Sequence, residues 1–441
     1  MNTVNSPRLL VPDRTQGVLF THSFLDDFVE QAHPVRAVWG FVERLDMSPF
    51  LDAVGSRDGG VGRPAVDPRL LLALWMYATV DAVDSGRKLA RLCTECLPYR
   101  WLCGGVAVEY HTLNDFRSGS ASQLRSLLST GITALVAEGL VTLDTIALDG
   151  VRVRASAGSG SFRTAKRLRS LSEAVDQRVA ELMEGWQRDG VDPDDPTSKR
   201  KIREMSERKA RLDRAAGLAE ALDKVRAEKL ANNKKMNKEV RRKAEAALAR
   251  GSRVSPTDPE AATLRMADDG FRPAFNAFVC TEGSHGLVVD VNVTADPTDN
   301  AEAPKAVERV RGAYGGTVAK NMLADSGFRS EAVISVLDAR GVVLLTPLPK
   351  VRGAEPAALR PSRQPTAMDR WRERMGSAEG AALYKSRARL IEFAFAGFRN
   401  RGLKQYRVRG GKRCEAVTLL HSLTHNMVVV EGLRRKAEMA A

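Results

Sequence analysis

The feature that most limits what this chain can fold into is a break in composition. From about Phe162 to Arg253 the sequence is drawn mainly from Ala, Glu, Lys, Arg and Leu, while apolar runs of strand character flank it on both sides. Before the break stands LDTIALDGVRVRASA, starting at Leu143, where apolar residues alternate with small or polar ones in the period-two pattern of a strand. After it, AFNAFVCTE (Ala274–Glu282) and GLVVDVNVTA (Gly286–Ala295) alternate across a GSHG turn, which is a hairpin signature. A sheet built from these segments must accommodate a long helical excursion between its first strand and the rest.

The excursion itself carries a helical stripe of Leu168, Leu171, Val175, Val179 and Leu182, is interrupted by GVDPDDP, and resumes from Ile202 to Leu248. A coiled-coil-like hairpin fits, and its basic clusters at Lys199–Lys201, Lys234/Lys235 and Arg241–Lys243 suit either a solvated surface or an arm against DNA. Further on, a helix (Glu302–Arg311), the short run NMLA, a helix (Glu331–Arg340) and the strand Val342–Leu348 follow in turn. A proline- and arginine-rich link leads to a long helix at about Ala381–Asn400, strand-like QYRVRG and an apolar helix, Cys414–Leu433. This order is α/β: a mixed sheet covered by helices, with one antiparallel edge. Residues from about 20 to 140 read as an all-α stretch, with Ser85 and Thr112 as candidate N-caps. The expected division is 1–140 helical, 141–162 and 256–410 the two parts of the sheet core, 163–255 the basic helical insertion, and 411–441 a C-terminal helix.

Charge bears on partners. Lys+Arg 68 against Asp+Glu 54 gives +14, which favours a polyanion. The longest apolar run, Leu70 to Val83, contains Asp81 and is shorter than the ~20 residues that span a bilayer, so no membrane partner is expected. MNTVNSPRLLVPDRTQ has no basic-then-apolar leader, and five cysteines are too few and too odd for a disulfide framework; both point to a reducing cytoplasm.

Three carboxylates stand out. Asp149 ends TIAL before Gly150, Asp325 ends NMLA before Ser326-Gly327-Phe328, and Glu392 lies in LIEFAF. Ionised groups in apolar surroundings are costly unless paired or bound to a cation, and converging carboxylates suit hard divalent ions and phosphodiester chemistry. Tyr384, Arg387 and Arg399 share a helix with Glu392, placing phosphate-binding donors near an acid. Arg152 and Arg154 beside Asp149, and Arg87 and Lys88 in the helical stretch, are further candidates for phosphate contact.

Taken together, LDTIALDGVRVRASA, TADPTDNAEA, NMLADSGFRSEAV, YKSRARLIEFAFAGFRNRGLKQYRVRGG and LLHSLTHNM resemble insertion-sequence transposases of the DDE type, in the branch with a Tyr-Arg-Glu-Lys signature. The stretch from about Phe20 to Arg117, with RPAVDPRLLLALWMYA and HTLNDFR, resembles their helical domain. The resemblance implies an RNase H-like core and a metal-binding triad, Asp149, Asp325 and Glu392. It implies two Mg²⁺ ions, with Mn²⁺ able to substitute. The signature falls on Tyr384, Arg387, Glu392 and Arg399, the last standing where the family often has Lys. Implied partners are double-stranded DNA, as element ends and target, and a second copy of the chain. The implied reaction is strand cleavage by water followed by attack of the freed 3′-hydroxyl. A nuclease that never joins strands and an inactive DNA-binding descendant are the alternatives. Cys93, Cys96, Cys103 and His111 lack the spacing of a common zinc finger, and His421 and His425 have no partnering acid, so both sets read as structural.

Overall fold

The computed structural model describes residues 7–14, 17–18, 21–59, 62–233, 236–296, 298–316, 319–349 and 366–440. The first six residues, the Lys234/Lys235 cluster and most of the proline- and arginine-rich link lie outside them. The chain divides into two compact units. One comprises Met1–Val153, Asn276–Arg407 and Lys412–Ala441; the other, Arg154–Phe275 with Val408–Gly411.

In the first unit the N-terminal part is mostly helical, with Pro34–Glu43, Pro68–Val80, Gly86–Glu95, Leu97–Cys103, Tyr110–Gly119 and Ala121–Ala137. It is not all-α, however: Leu9–Leu10 pairs in parallel with Ala65–Val66, and Thr21–Phe24 is a short strand. Pro68–Val80 is apolar all round and accordingly buried, with Leu70, Leu72, Leu74 and Met76 fully enclosed. Asp67 starts it by accepting the Arg69 N–H at 2.8 Å, and Pro68 fits a first turn that needs no donor. Ser85 caps the next helix as its sequence predicts. Thr112 does not cap: that helix begins at Tyr110, with Glu109 at the N-cap. Phe24, Leu25, Phe28 and Val29 form only one 3₁₀ turn, Leu25–Phe28, where Asp27 takes the Phe24 N–H at 2.7 Å.

The sheet follows. Its strands are β1 (Thr145–Arg154), β2 (Phe271–Glu282), β3 (Val288–Thr294), β4 (Asn321–Leu323) and β5 (Val343–Leu345), arranged β3-β2-β1-β4-β5. β4 is parallel to both β1 and β5, while β2 and β3 form the antiparallel hairpin. Within the first unit β2 runs against β1, since Thr145 lies beside Gly283 and Gly150 beside Phe278. Helices Glu302–Ala313 and Glu331–Ala339 separate the later strands. Two sequence expectations shrink: β5 is three residues long, and QYRVRG is no strand, because Tyr406 is buried and its hydroxyl is bonded to Thr418 at 2.8 Å. A partly buried ion-pair network, centred on buried Asp290 and Glu302, ties helix to sheet. Arg125 of Ala121–Ala137 reaches Asp290 of β3 at 2.9 Å and also Glu415; Arg309 reaches Asp290 at 2.8 Å and Glu302 at 2.5 Å.

The second unit is dominated by a helical hairpin. Ala165–Asp189 packs on Pro196–Asn232, and Lys238–Arg250 follows. Gly190 ends the first helix in a left-handed conformation and Asp195 starts the second by accepting the Thr197 N–H. Leu168, Val175, Leu212, Ala215, Ala216, Ala219 and Val254 form its core. The excursion leaves and returns at one place: the Ala155 N–H donates to the Pro273 carbonyl at 2.8 Å. Among the described residues no helix is long and apolar enough to cross a membrane.

Candidate active site

β1 and β4 pair in register, Thr145 opposite Asn321, Ile146 opposite Met322 and Ala147 opposite Leu323. Carrying that register two residues onward sets Asp325 across from Asp149. Asp325 stands two residues past the end of β4, where the chain enters a 3₁₀ turn. Asp149, by contrast, does not close its strand as the sequence suggests: β1 continues to Arg154, with Val153 buried.

Each aspartate accepts a hydrogen bond from a nearby glycine N–H, Asp149 within β1 and Asp325 at a turn. Asp149 Oδ1 accepts the Gly150 N–H at 2.8 Å, and Asp325 Oδ1 accepts the Gly327 N–H at 2.7 Å as N-cap of a 3₁₀ turn. Gly150 is also needed for space, because a Cβ there would lie 2.7 Å from Asn276 Oδ1 and 2.9 Å from the Phe278 ring. Below the Asp325 turn Phe328 is buried edge-on to Phe278, ring centroids 6.0 Å apart.

The cation comes from the Ala378–Asn400 helix. Ser377 alone separates it from the Ala367–Gly376 helix, capping by accepting the Gly380 N–H at 3.0 Å. Gly380 has no alternative at this corner, since a Cβ would stand 2.0 Å from the Arg374 carbonyl oxygen. Arg387 Nη2 then donates to Asp149 Oδ2 at 2.5 Å, with the two side chains 16% and 24% exposed. Its Nε is buried with no acceptor among the described residues. Tyr384 stands one turn earlier; burial raises its phenol above the ordinary value, with the charges of Asp325 and Asp149 adding and that of Arg387 opposing.

A third acid joins the aspartates, one that sequence reasoning did not single out. Asp299 lies in the quoted TADPTDNAEA stretch, and its Oδ1 accepts from Asn276 Nδ2 at 3.0 Å. A Cβ built on Gly327 would be 2.9 Å from Asp325 Oδ1 and 3.2 Å from Asp299 Oδ2, so both oxygens crowd one point. One signal was present in the sequence: Asn276 is a lone amide in the apolar run AFNAFVC, and the structure buries it. Burial pushes Asp149 up to about 6, helped by the charges of Asp325 and Asp299 and opposed by Arg387 and the Gly150 N–H. Asp299 is raised too, chiefly by burial, with Asp325 adding and Asn276 and Arg152 opposing.

Other expected residues stand elsewhere. Glu392 is exposed on the Ala378–Asn400 helix, five residues past Arg387, and makes no hydrogen bond or ion pair among the described residues. Arg399 is exposed, its Nε donating to the Phe395 carbonyl at 3.3 Å. Arg152 is half-buried near Asp299, and Arg154 is exposed at the start of the second unit. Arg87 and Lys88 are exposed at the start of Gly86–Glu95, Arg87 lying 5.1 Å over the Tyr110 ring. Crowded aspartate oxygens, those of Asp149 and Asp299 with raised pKa, are donors of the type a hard cation takes. Yet among the described residues no three His, Cys, Asp or Glu side chains are placed to hold one ion.

A family described as "Transposase domain (DUF772)" matches residues 23–119. The match covers the N-terminal helices up to Tyr110–Gly119 and ends before Ala121–Ala137 and β1; it supports a transposase family for the chain and is silent on the carboxylates. No curated protein and no solved structure matches.

Proposed function

We propose that the protein is a DNA transposase of the DDE type, of the branch with a Tyr-Arg-Glu-Lys signature, and that β1 to β5 with their helices are an RNase H-like core. One observation carries the reading: Asp149 on β1 and Asp325, two residues past the end of the parallel neighbour β4, fall at matching register positions, with Arg387 bonded to the first. The match to a transposase domain over residues 23–119 supports the same class from a separate part of the chain.

In this reading Asp149 and Asp325 would hold Mg²⁺, with Mn²⁺ able to replace it, and Glu392 enters as third acid on the resemblance alone. Two such ions would supply charge neutralisation and activation of an attacking oxygen. The chain's own residues position the phosphodiester. Arg387 fixes one oxygen of Asp149 and keeps its unpaired Nε as a donor for a phosphate oxygen, with Tyr384 one turn earlier on the same helix as a further phosphate contact. Arg399, Arg152, Arg154, Arg87 and Lys88 are proposed as further phosphate contacts along double-stranded DNA. Water cuts the strand at the element end; the freed 3′-hydroxyl then attacks the opposite strand or target DNA, on paired ends held by two copies of the chain in the cytoplasm.

The test uses labelled element-end DNA and Mg²⁺ with wild type and Asp325→Ala. Joined products from wild type only are the expected result. Cleavage without joining makes the protein a nuclease, and retarded bands without cleavage in either make it a DNA-binding protein.

A further inference from the structure

A second concentration of charge is buried in the first unit, apart from the carboxylates. A cavity of about 30 Å³ is lined by Trp75 and Thr79, by Arg117, by His421 and by the turn from Arg401 to Arg407. Three nitrogens of this lining are buried with no partner among the described residues: Arg117 Nε, Arg401 Nη1 and His421 Nδ1. Arg117 and His421 are each 7% exposed.

All three side chains are fixed. Arg117 lies over the Trp75 ring at 4.3 Å and donates to the Asp84 carbonyl at 2.5 Å and to Asn114 Oδ1 at 3.1 Å. Arg401 folds back where Gly397 leaves room, for a Cβ there would be 2.9 Å from Nη1. His421 stands edge-on to Phe398 at 5.9 Å. Burial lowers Arg117 to about 10, which leaves it charged at neutral pH, and lowers Arg401 below its ordinary value. Burial, then the Arg401 charge, lowers His421 to about 3, leaving it a neutral imidazole.

The lining holds one acid, Asp84, whose carboxylate is exposed at the rim and accepts from Arg407 at 2.8 Å. The guanidinium charge of buried Arg117 and that of half-buried Arg401, whose Nη1 is enclosed, face one cavity and are thus under-compensated, and water satisfies donors without cancelling charge. The volume suits one or two water-sized atoms. It admits a single oxygen but not a whole tetrahedral anion.

We propose that this cavity is an anion site that takes one oxygen of a phosphate group presented at its mouth, held by Arg401, Arg117 and His421, with Arg407 on the outer oxygens. A backbone phosphate of DNA and free inorganic phosphate share this chemistry. The site goes beyond the proposed strand transfer, and its existence does not rest on it.

The experiment follows the thermal midpoint of the full chain against sodium phosphate, with sodium chloride at matched ionic strength as control. Wild type rises and saturates in phosphate only, and Arg401→Gln does not respond. Asp84→Asn, which removes the competing rim carboxylate, half-saturates at about fivefold lower phosphate, a gain that damage to the fold cannot produce. Asp325→Ala responds as wild type, which keeps this outcome separate from any failure of the catalytic reading. Equal shifts in phosphate and chloride, a normal response from Arg401→Gln, or unchanged half-saturation in Asp84→Asn would each overturn the site. Filter binding to a duplex of arbitrary sequence then separates the sources. Weaker binding by Arg401→Gln, with the salt slope reduced by about one, assigns the site to DNA. Unchanged duplex binding alongside the lost thermal response assigns it to free phosphate.

Discussion

The helical hairpin of the second unit and the sheet of the first treat charge in opposite ways. In the second unit Arg200 pairs with Glu204, Arg203 with Glu207, Arg241 with Glu245 and Lys243 with Glu239, each one turn away on exposed helix. Such pairs form in any solvated helix and stabilise it little. In the sheet, Asp149, Asp299 and Asp325 come from three distant segments and crowd together with one arginine bonded among them. Only the fold enforces that proximity, and it does so against mutual repulsion. Charge held at a cost marks where a ligand of opposite sign is due, whereas charge neutralised by its neighbours marks none.

The sharpest way to break this contrast is Asp149→Asn. DNA cleavage should fall on the order of a thousandfold or more, measured on labelled ends, while the protein stays at least as stable. Retention of a tenth of the activity would remove the acid pair from the reaction. Next, Arg387→Met leaves Asp149 buried without its cation and should cost about 3 kcal/mol in denaturant unfolding. Adding Asp149→Asn should recover part of that loss, and strict additivity would show that the pair is not coupled. Leu212→Ala in the hairpin core should cost about 2–3 kcal/mol by the same measurement but leave cleavage per folded molecule unchanged.

A smaller effect sets the sign of the crowding. Asp149 is raised from 3.8 to about 6, so the folded chain binds this proton more tightly than the unfolded one. In EDTA that stabilisation is complete below about pH 3.8 and lost as pH rises through about 6. Wild type should therefore lose about 2 kcal/mol relative to Asp149→Asn between pH 4 and pH 7. A parallel pH dependence in the two proteins would count against it. Smallest of all, Arg200→Ala should leave the thermal midpoint unmoved.

The same contrast explains what could be read in advance. The hairpin was legible because its periodicity is local: Leu168 and Val175 are buried and Leu171 and Val179 pack beside them, as their spacing requires. Asp149 and Asp325 were legible as acids closing apolar runs before glycine. Their register was not, since no residue in either strand encodes its partner. Asp299 escaped notice because the segment after β3 carries no pattern. Glu392 shows the converse difficulty. LIEFAF is apolar along the chain, but around the helix Leu390, Ile391, Ala394, Phe395 and Phe398 face inward while Glu392 shares the outer arc with Phe393, 51% exposed. Neighbours in sequence are not neighbours on a helix.

The hydrogen bond from Ala155 to Pro273 has a consequence for how the molecule can be rebuilt. More than a hundred intervening residues are spliced into the gap that a tight turn would otherwise bridge. Replacing them with two residues such as Asn-Gly should yield a plain three-stranded meander from β1 to β3. Should that shortened protein fold, the hairpin is a removable cassette, free to vary in length or to be exchanged for another module without disturbing the aspartates.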